Sequence, residues 1–404
     1  MTANAHTTAS PEGLAAQLTA TGALDKRWRP AFEAVPRHWF VPDVIWPGKF
    51  QGTGQASAID RRSHPDAWWD AVYSDRALTT QWDDGEHTGP EPGKVPSCSS
   101  SMPTMVAGML DDLDLQPGMR VLEIGTGEGW NTALLCHRTG EANVTTVETD
   151  PALADRARTR LRERGLTPIC LTGDGSLGHP ERAPFDRIIA TCSLARIPTQ
   201  WLGQARPDSV IVAPWAPDYG SEAIVRLSVT DSGNAHGRFT RSSAFMRLRQ
   251  QRRRSRPLRE YLGGRDWPAD ATQGTTSLSP DEIGPWERMF ALGVQLPGVF
   301  VWPETHNEGT YRLWLRDKEV TSWASADFAP GRDEFDIAQS GPRRLWDEVE
   351  AAYRWWIQQG RPGIECFGLT VVGEHRVWLG DPSQPVPQWC STSDDWTAPC
   401  DDDA

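Results

Sequence analysis

The stretch VLEIGTGEGW, Val121 to Trp130, decides the fold. Four residues suited to a buried strand run into glycines at alternate positions, Gly125, Gly127 and Gly129, and then into the helically spaced WNTALLCHRT. Glycines between a strand and a helix let the backbone turn sharply and approach a ligand, while the helix N-terminus offers unpaired N–H groups. A plain tight βα turn would use the same residues. Outward from this point the order repeats: MRVLEI as strand, WNTALLCHRT as helix, NVTTVE as strand, PALADRARTRLRERG as helix, then TPICL, FDRIIATC and DSVIVAPW as strands. Apolar, β-branched strands alternating with helices of this length predict a Rossmann-like α/β domain, its sheet mostly parallel with helices on both faces. EAIVRLSV and the segment around SSAFMRL are expected as antiparallel strands closing that sheet.

PTMVAGMLDDL puts Met105, Val106, Met109, Leu110 and Leu113 on one side and predicts a helix from 103. Residues 10–42 have helix-like apolar spacing, whereas 50–100, rich in Gly, Asp, Ser and Pro, are expected to form a long loop broken by WWDAVY. Beyond the basic link RLRQQRRRSRPLREY, two hairpins are expected, YRLWLRD-KE-VTSWAS and GLTVV-GEH-RVWLG. Between them lies an amphipathic helix, SGPRRLWDEVEAAYRWWIQQG, with Ser340 as its cap, Pro342 in its first turn and Gly360 at its end. The expected organisation is therefore 1–100 as a helical segment plus substrate loop, 101–250 as the α/β domain, and 251–404 as a smaller α+β accessory unit. The acidic end, Thr397 to Ala404, is expected to fray.

A net charge of −13 argues against broad binding to nucleic acid or to a membrane surface. No run reaches membrane-spanning length, and the N-terminus lacks a signal-peptide pattern. The seven cysteines (Cys98, Cys136, Cys170, Cys192, Cys366, Cys390 and Cys400) form no C-x-x-C, so neither a metal site nor a disulfide framework is signalled. The expectation is a cytoplasmic protein with reduced thiols.

Three features narrow the ligand of the glycine turn. Trp130 occupies the slot where a dinucleotide loop needs its last glycine, and the ring would crowd a pyrophosphate. Glu123, just before the loop, would repel phosphates but suits an ammonium group. Glu148, at the end of the second strand, can accept hydrogen bonds from ribose hydroxyls, and Asp174 in LTGDGS from an adenine amino group. Adenine, ribose and a zwitterionic tail without phosphate describe S-adenosylmethionine.

At this point a resemblance becomes specific. VLEIGTGEGW, GDG at 173–175, APFDRIIATCS at 183–193 and the turn at Ile197 and Pro198 resemble the protein L-isoaspartate O-methyltransferases. VPRHWFVP at 35–42 resembles that family's R-x-x-F-V-P segment, YSDRAL at 73–78 its Y-x-D-x-x-L stretch, and SSSMP at 99–103 its T-I-S-x-P. The resemblance covers about residues 12–250 in the family's order. It implies a class I methyltransferase domain, an active-site serine at Ser101, and a cofactor set of Ser100, Glu123, Gly125, Thr126, Gly127, Gly129, Glu148, Asp174 and Gly175. There are departures. Val106 stands where the repair enzymes carry a histidine, and TTQWDDGEHTGPEPGKVPSCSS replaces their P-L-P-I-G and G-Q-T segments. The long form with an added C-terminal unit resembles the branch found with lanthipeptide and graspetide biosynthesis.

The leading expectation is accordingly a methyl ester formed on an aspartate of a modified, macrocyclic ribosomal peptide, leading to succinimide (aspartimide) or isoaspartate. Repair of isoaspartyl proteins is the alternative, and a non-catalytic methyltransferase-like binding module a third. A carboxylate with an ordinary pKa near ~4 is already nucleophilic at neutral pH, so no general base is needed. Ser101 would orient that carboxylate, or else cap the helix that follows it.

Overall fold

The computed structural model describes residues 9–48, 57–253, 256–268, 270–306 and 309–390. The acidic end from Thr397 and Cys400 lie outside them.

The N-terminal part comprises α1 (Pro11–Ala20), α2 (Arg29–Ala34), β1 (Val44–Pro47), β2 (Ile59–Asp60), α3 (Pro65–Val72), β3 (Leu78–Trp82) and β4 (Pro96–Ser100). The four strands form an antiparallel sheet in the order β2-β1-β3-β4. This corrects the expected long loop. Strands of two to five residues, bulged in the β3–β4 pairing, are too short to display the alternation by which strands are read.

The α/β core follows as α4 (Pro103–Leu113), β5 (Val121–Ile124), α5 (Trp130–Thr139), β6 (Val144–Glu148), α6 (Pro151–Glu163), β7 (Ile169–Thr172), β8 (Phe185–Ala190), α7 (Thr199–Gln204) and β9 (Ala205–Trp215). Strands β7-β6-β5-β8-β9 lie side by side and parallel. The chain reverses its direction of winding between β5 and β8, which is where open α/β sheets form their ligand crevice. One face is covered by α1, α2, α4 and α5 through Leu18, Phe32, Leu110 and Leu134. The other is covered by Trp201 of α7 and by residues from the C-terminal half.

Next come β10 (Glu222–Val229) and β11 (Ala235–Ser243), both antiparallel. SSAFMRL is not a strand beyond Ser243. Glu222 accepts hydrogen bonds from the Ser243 hydroxyl (2.8 Å) and the Phe245 N–H (2.7 Å), which turns the chain off the sheet. The following residues bond to Ser193 instead (Ser193 N–H to Met246 O, Leu248 N–H to Ser193 O, 2.8 Å each). They form an arm across the ends of the parallel strands.

The C-terminal half contains α8 (Leu258–Tyr261), β12 (Thr272–Thr276), α9 (Pro280–Ile283), α10 (Trp286–Gly293), β13 (Val299–Thr305), β14 (Tyr311–Asp317), β15 (Trp323–Phe328), β16 (Phe335–Ser340), α11 (Leu345–Gln358), β17 (Phe367–Val372) and β18 (Glu374–Leu379). A five-stranded antiparallel sheet has the order β12-β16-β15-β14-β13. The second expected hairpin, β17–β18, does not join it. β17 pairs with β11 and extends the main sheet to nine strands. The stripe of α11 serves both cores: Val349 and Ala352 face the five-stranded sheet, and Trp356 packs with Phe290 and Phe367 against the nine-stranded one. The Ser340 cap is also corrected, since Ser340 ends β16 and α11 starts five residues later, where the Gln339 side-chain oxygen accepts from the Trp346 N–H (3.1 Å). Among the cysteines, Cys98, Cys136, Cys170, Cys192 and Cys366 are free, but Cys390 is disulfide-bonded, against the expectation of reduced thiols throughout. Among the described residues no helix is long and apolar enough to cross a membrane.

Candidate active site

The turn after β5 takes its shape from its glycines. Gly125, Gly127 and Gly129 have φ of +94°, +53° and +96°, the left-handed region that side chains resist. At Gly125 a Cβ would also lie 2.8 Å from the Thr191 hydroxyl oxygen. Only a bare backbone fits there. Gly129 is the N-cap of α5, and the next residue, Trp130, turns its indole into the N-terminal helices, donating to Val35 O (3.1 Å) and meeting Phe32 edge-on. The bulky ring thus anchors the helix start.

One cavity gathers the turn from Gly125 to Asn131, Glu148, Gly175, the run Ser97–Ser101, Val106 of α4, and the arm from Phe245 to Arg252. Glu148 is nearly buried in its wall. One carboxylate oxygen accepts from the Gly127 N–H (2.9 Å), the other from the Asp150 N–H (3.0 Å), and burial raises its pKa. Each oxygen keeps a lone pair for a further donor, as a vicinal diol would require. Thr126 also lines the cavity and shares a hydrogen bond with Thr146 (2.7 Å).

Ser100 and Ser101 are held by a residue whose role the sequence did not disclose. Arg37, from VPRHWFVP, is fully buried. It donates to Ser100 Oγ (3.1 Å), Ser100 O (3.0 Å), Ser101 O (2.8 Å), Val72 O (2.9 Å), Ser74 O (3.3 Å) and Arg76 O (3.0 Å). Burial lowers its pKa to about 9. An arginine amid apolar residues was the available signal. Ser101 does not cap α4. The N-cap is Met102, with no side-chain bond, and Asp75 of YSDRAL caps instead, accepting from the Thr104 N–H (2.8 Å) and hydroxyl (2.6 Å). That leaves the Ser101 hydroxyl free of the competing structural role, on the cavity wall.

Two expected residues lie elsewhere. Glu123 is wholly buried beneath the turn and does not line the cavity: it accepts from Asn131 Nδ2 (2.7 Å), the Thr132 hydroxyl (2.5 Å) and the Thr146 hydroxyl (2.7 Å). Desolvation raises its pKa to about 7. Asp174 accepts from the Ser176 N–H (2.8 Å) and lines a neighbouring depression that shares Val147 with the cavity, while Gly175, next in the chain to Asp174, lines the cavity itself. At Gly175 a Cβ would strike Ile124 Cγ2 at 2.5 Å.

The arm was expected as a linker, yet Arg247, Arg249 and Arg252 all line the cavity. Arg252 donates to both oxygens of Asp84 (2.8 and 2.9 Å), and Arg249 lies 3.0 Å from Asp84 and 3.6 Å from Asp150. Gln250 Nε2 donates to the Thr149 hydroxyl (3.1 Å). The arm is thereby tied to the β3–β4 hairpin and to the start of α6, where Asp150 caps the helix.

A mixed sheet with a glycine turn at its switch point and helices on both faces is the class I methyltransferase fold, here with an additional C-terminal β-rich unit. A solved protein-L-isoaspartate O-methyltransferase has it too, aligning over 92% of this chain and 100% of its own with a TM-score of 0.50 and 20% identity, a likeness of fold. The family described as Protein-L-isoaspartate(D-aspartate) O-methyltransferase (PCMT) matches residues 53–253. A protein-L-isoaspartate O-methyltransferase of Methylorubrum extorquens is 35% identical over 212 residues, which is 52% of this chain and 75% of that protein. The chain belongs to the protein-L-isoaspartate O-methyltransferase family. Its similarity to the relatives from Ignicoccus hospitalis (38% over 135 residues) and Rhodopseudomonas palustris (40% over 134) covers 33% of this chain, and the chain spans 64% and 61% of their lengths.

Proposed function

We propose that this protein transfers a methyl group from S-adenosylmethionine to a carboxylate of a peptide, with the isoaspartyl carboxylate of damaged proteins as the best-supported acceptor. The observation that carries this reading is the single cavity in which the left-handed glycine turn and Glu148 face the Ser97–Ser101 run. The residues present fit the cofactor: Gly125 leaves room only for a bare backbone, and Glu148 keeps acceptor capacity on both oxygens. Gly125, Thr126, Gly127 and Glu148 would hold it, with Asp174 at the rim. Bound there, S-adenosylmethionine supplies an electrophilic methyl group on a sulfonium.

The rest of the work falls to the chain. An ionised carboxylate needs no base, only alignment and removal from water, and holding two partners at attack distance accounts for roughly 7–11 kcal/mol at best. Ser101, its backbone fixed by Arg37, donates a hydrogen bond that orients the acceptor. Val106 and Met109 of α4 make that side of the cavity apolar.

The aspartate of a modified ribosomal peptide stands second. What favours it is the rebuilt Asp83–Val95 segment beside the cavity. Incubating the protein and cofactor with an isoaspartyl peptide and with a macrocyclic aspartyl peptide separates the readings. Methyl ester on the first alone is expected, ester on the second alone would transfer the assignment, and ester on neither while S-adenosylhomocysteine binds would leave a binding module. Ser101→Ala is expected to keep S-adenosylhomocysteine affinity within about threefold and to lower kcat at least tenfold, the worth of one charge-assisted hydrogen bond.

A further inference from the structure

A second concavity is lined by His38, Asp43, Arg61, Arg160 and Arg164, beside the ring of Trp39. In a chain of net charge −13 this is a local reversal of sign, three guanidinium groups against one carboxylate. Arg160 is neutralised by Glu128 of the glycine turn, but Arg61 and Arg164 are poorly paired. Asp43 lies 3.9 Å from Arg61 and 3.7 Å from Arg62, and Arg164 is 4.0 Å from Glu163, all too far for hydrogen bonds. Two of the three arginines are held in place by aromatic faces rather than by acids. The Arg61 guanidinium lies over Trp68 (4.7 Å) and Trp69 (5.6 Å), and that of Arg164 over Trp39 (4.9 Å). Arg160 donates to Phe40 O (3.0 Å) and pairs with Glu128 of the glycine turn, which puts the concavity next to the cofactor cavity. His38 reports the charge: its pKa is lowered by burial and then by Arg61 and Arg164.

We propose that this concavity binds a phosphate-type oxyanion, received by the guanidinium groups of Arg61 and Arg164 with Arg160 beside them. A carboxylate satisfies one guanidinium fork, whereas the oxygens of a phosphate can accept from several that converge. Because contact with the tryptophan rings already restrains the two side chains, less of their freedom is left to lose on binding. The inference does not depend on methyl transfer and would stand if that reading fell.

The test is a titration of the full chain with sodium phosphate, ionic strength held constant with chloride, following the His38 ring signals by NMR. A saturable shift is expected, with the His38 pKa rising as the anion offsets Arg61 and Arg164. Phosphoserine, titrated in parallel, distinguishes a free ion from a phosphate carried on a larger molecule; saturation by either carries the proposal. The double variant Arg61→Gln/Arg164→Gln should weaken binding at least about tenfold, while Arg62→Gln, outside the lining, should leave it unchanged. Circular dichroism verifies that the variants fold. A shift that never saturates in the wild-type protein, or saturable binding that survives in the folded double variant, overturns the proposal.

Discussion

Arg37→Lys is the substitution that most directly tests how the serine run is held. The wild-type guanidinium donates six hydrogen bonds, five of them to backbone carbonyls. An ammonium has three donors, so at least three acceptors lose their partner. At about 1.5–3 kcal/mol per charge-assisted bond, the loss is roughly 4–9 kcal/mol, against an ordinary total of about 5–15 kcal/mol. For a chain of 404 residues the lower figure alone corresponds to a melting temperature reduced by about 5 °C. The pH dependence has a definite sign. Burial already lowers the arginine to about 9, and a lysine, starting lower, would come down toward neutrality under the same desolvation. A folded-state pKa below the unfolded one means that stability is present at alkaline pH and lost as pH falls toward that value. The variant should therefore be further below wild type at pH 7 than at pH 9.5 in thermal denaturation. Turnover on an isoaspartyl peptide should fall more than S-adenosylhomocysteine affinity measured by calorimetry, because three of the six bonds go to Ser100 and Ser101 and none to the glycine turn. A variant that melts with wild type and turns over at the wild-type rate refutes the reasoning.

Gly125→Ala should weaken S-adenosylhomocysteine binding at least tenfold in a folded protein, since alanine at φ +94° costs about 1–3 kcal/mol and its methyl meets Thr191; calorimetry with unchanged affinity would contradict this. Asp84→Asn removes the carboxylate shared by Arg249 and Arg252; with side chains 26–41% exposed, these pairs are worth about 0.2–1 kcal/mol each. S-adenosylhomocysteine should then dissociate about 2–30 times faster in stopped flow, with a weaker salt dependence than wild type. Glu123→Gln should gain on wild type as pH rises. Its pKa of about 7, against an ordinary 4.5, means that the folded state keeps a proton the unfolded state has lost, so wild-type stability declines from pH 4.5 to 7, by about 3 kcal/mol. Denaturant melts at pH 5 and pH 8 that show the same difference between the two proteins would rule this out.

How far the sequence could be read depended on how local each signal was. The glycines at 125, 127 and 129 and the β-branched run of β9 are local signals, and the α/β core could be read from them. Glu123 was named for a place the ligand would want, but it is buried beneath the turn, off the cavity lining, where Asn131, Thr132 and Thr146 donate to it. Nothing in VLEI tells which way that carboxylate faces. The hairpin β17–β18 looked like part of the C-terminal unit because its partner, β11, lies some 130 residues earlier in the chain. The arm from Phe245 to Arg252 was expected as the end of a strand running into a basic linker from Arg247; Glu222 and Ser193 bend it over the cavity instead.

The placement of Arg37 and Trp130 explains why the N-terminal region belongs to the site at all. Two things must be positioned together: the turn that would cradle a donor, and the serine run that would receive an acceptor. Trp130, the first residue of α5, is bonded to the carbonyl of Val35, so the helix that follows the glycine turn is anchored two residues from Arg37. Arg37 in turn holds the backbone of Ser100 and Ser101, and its guanidinium carbon lies 5.4 Å from the Trp130 ring. Both halves of the cavity are thus referenced to one short segment, Val35–Arg37, which itself contributes nothing to the cavity lining. Displacements as small as about 1 Å can cost a hundredfold in rate. A shared reference limits such relative displacement more tightly than two separate supports would. VPRHWFVP acts on the reaction through the distance it sets between two groups, and changes within it should register first in kcat.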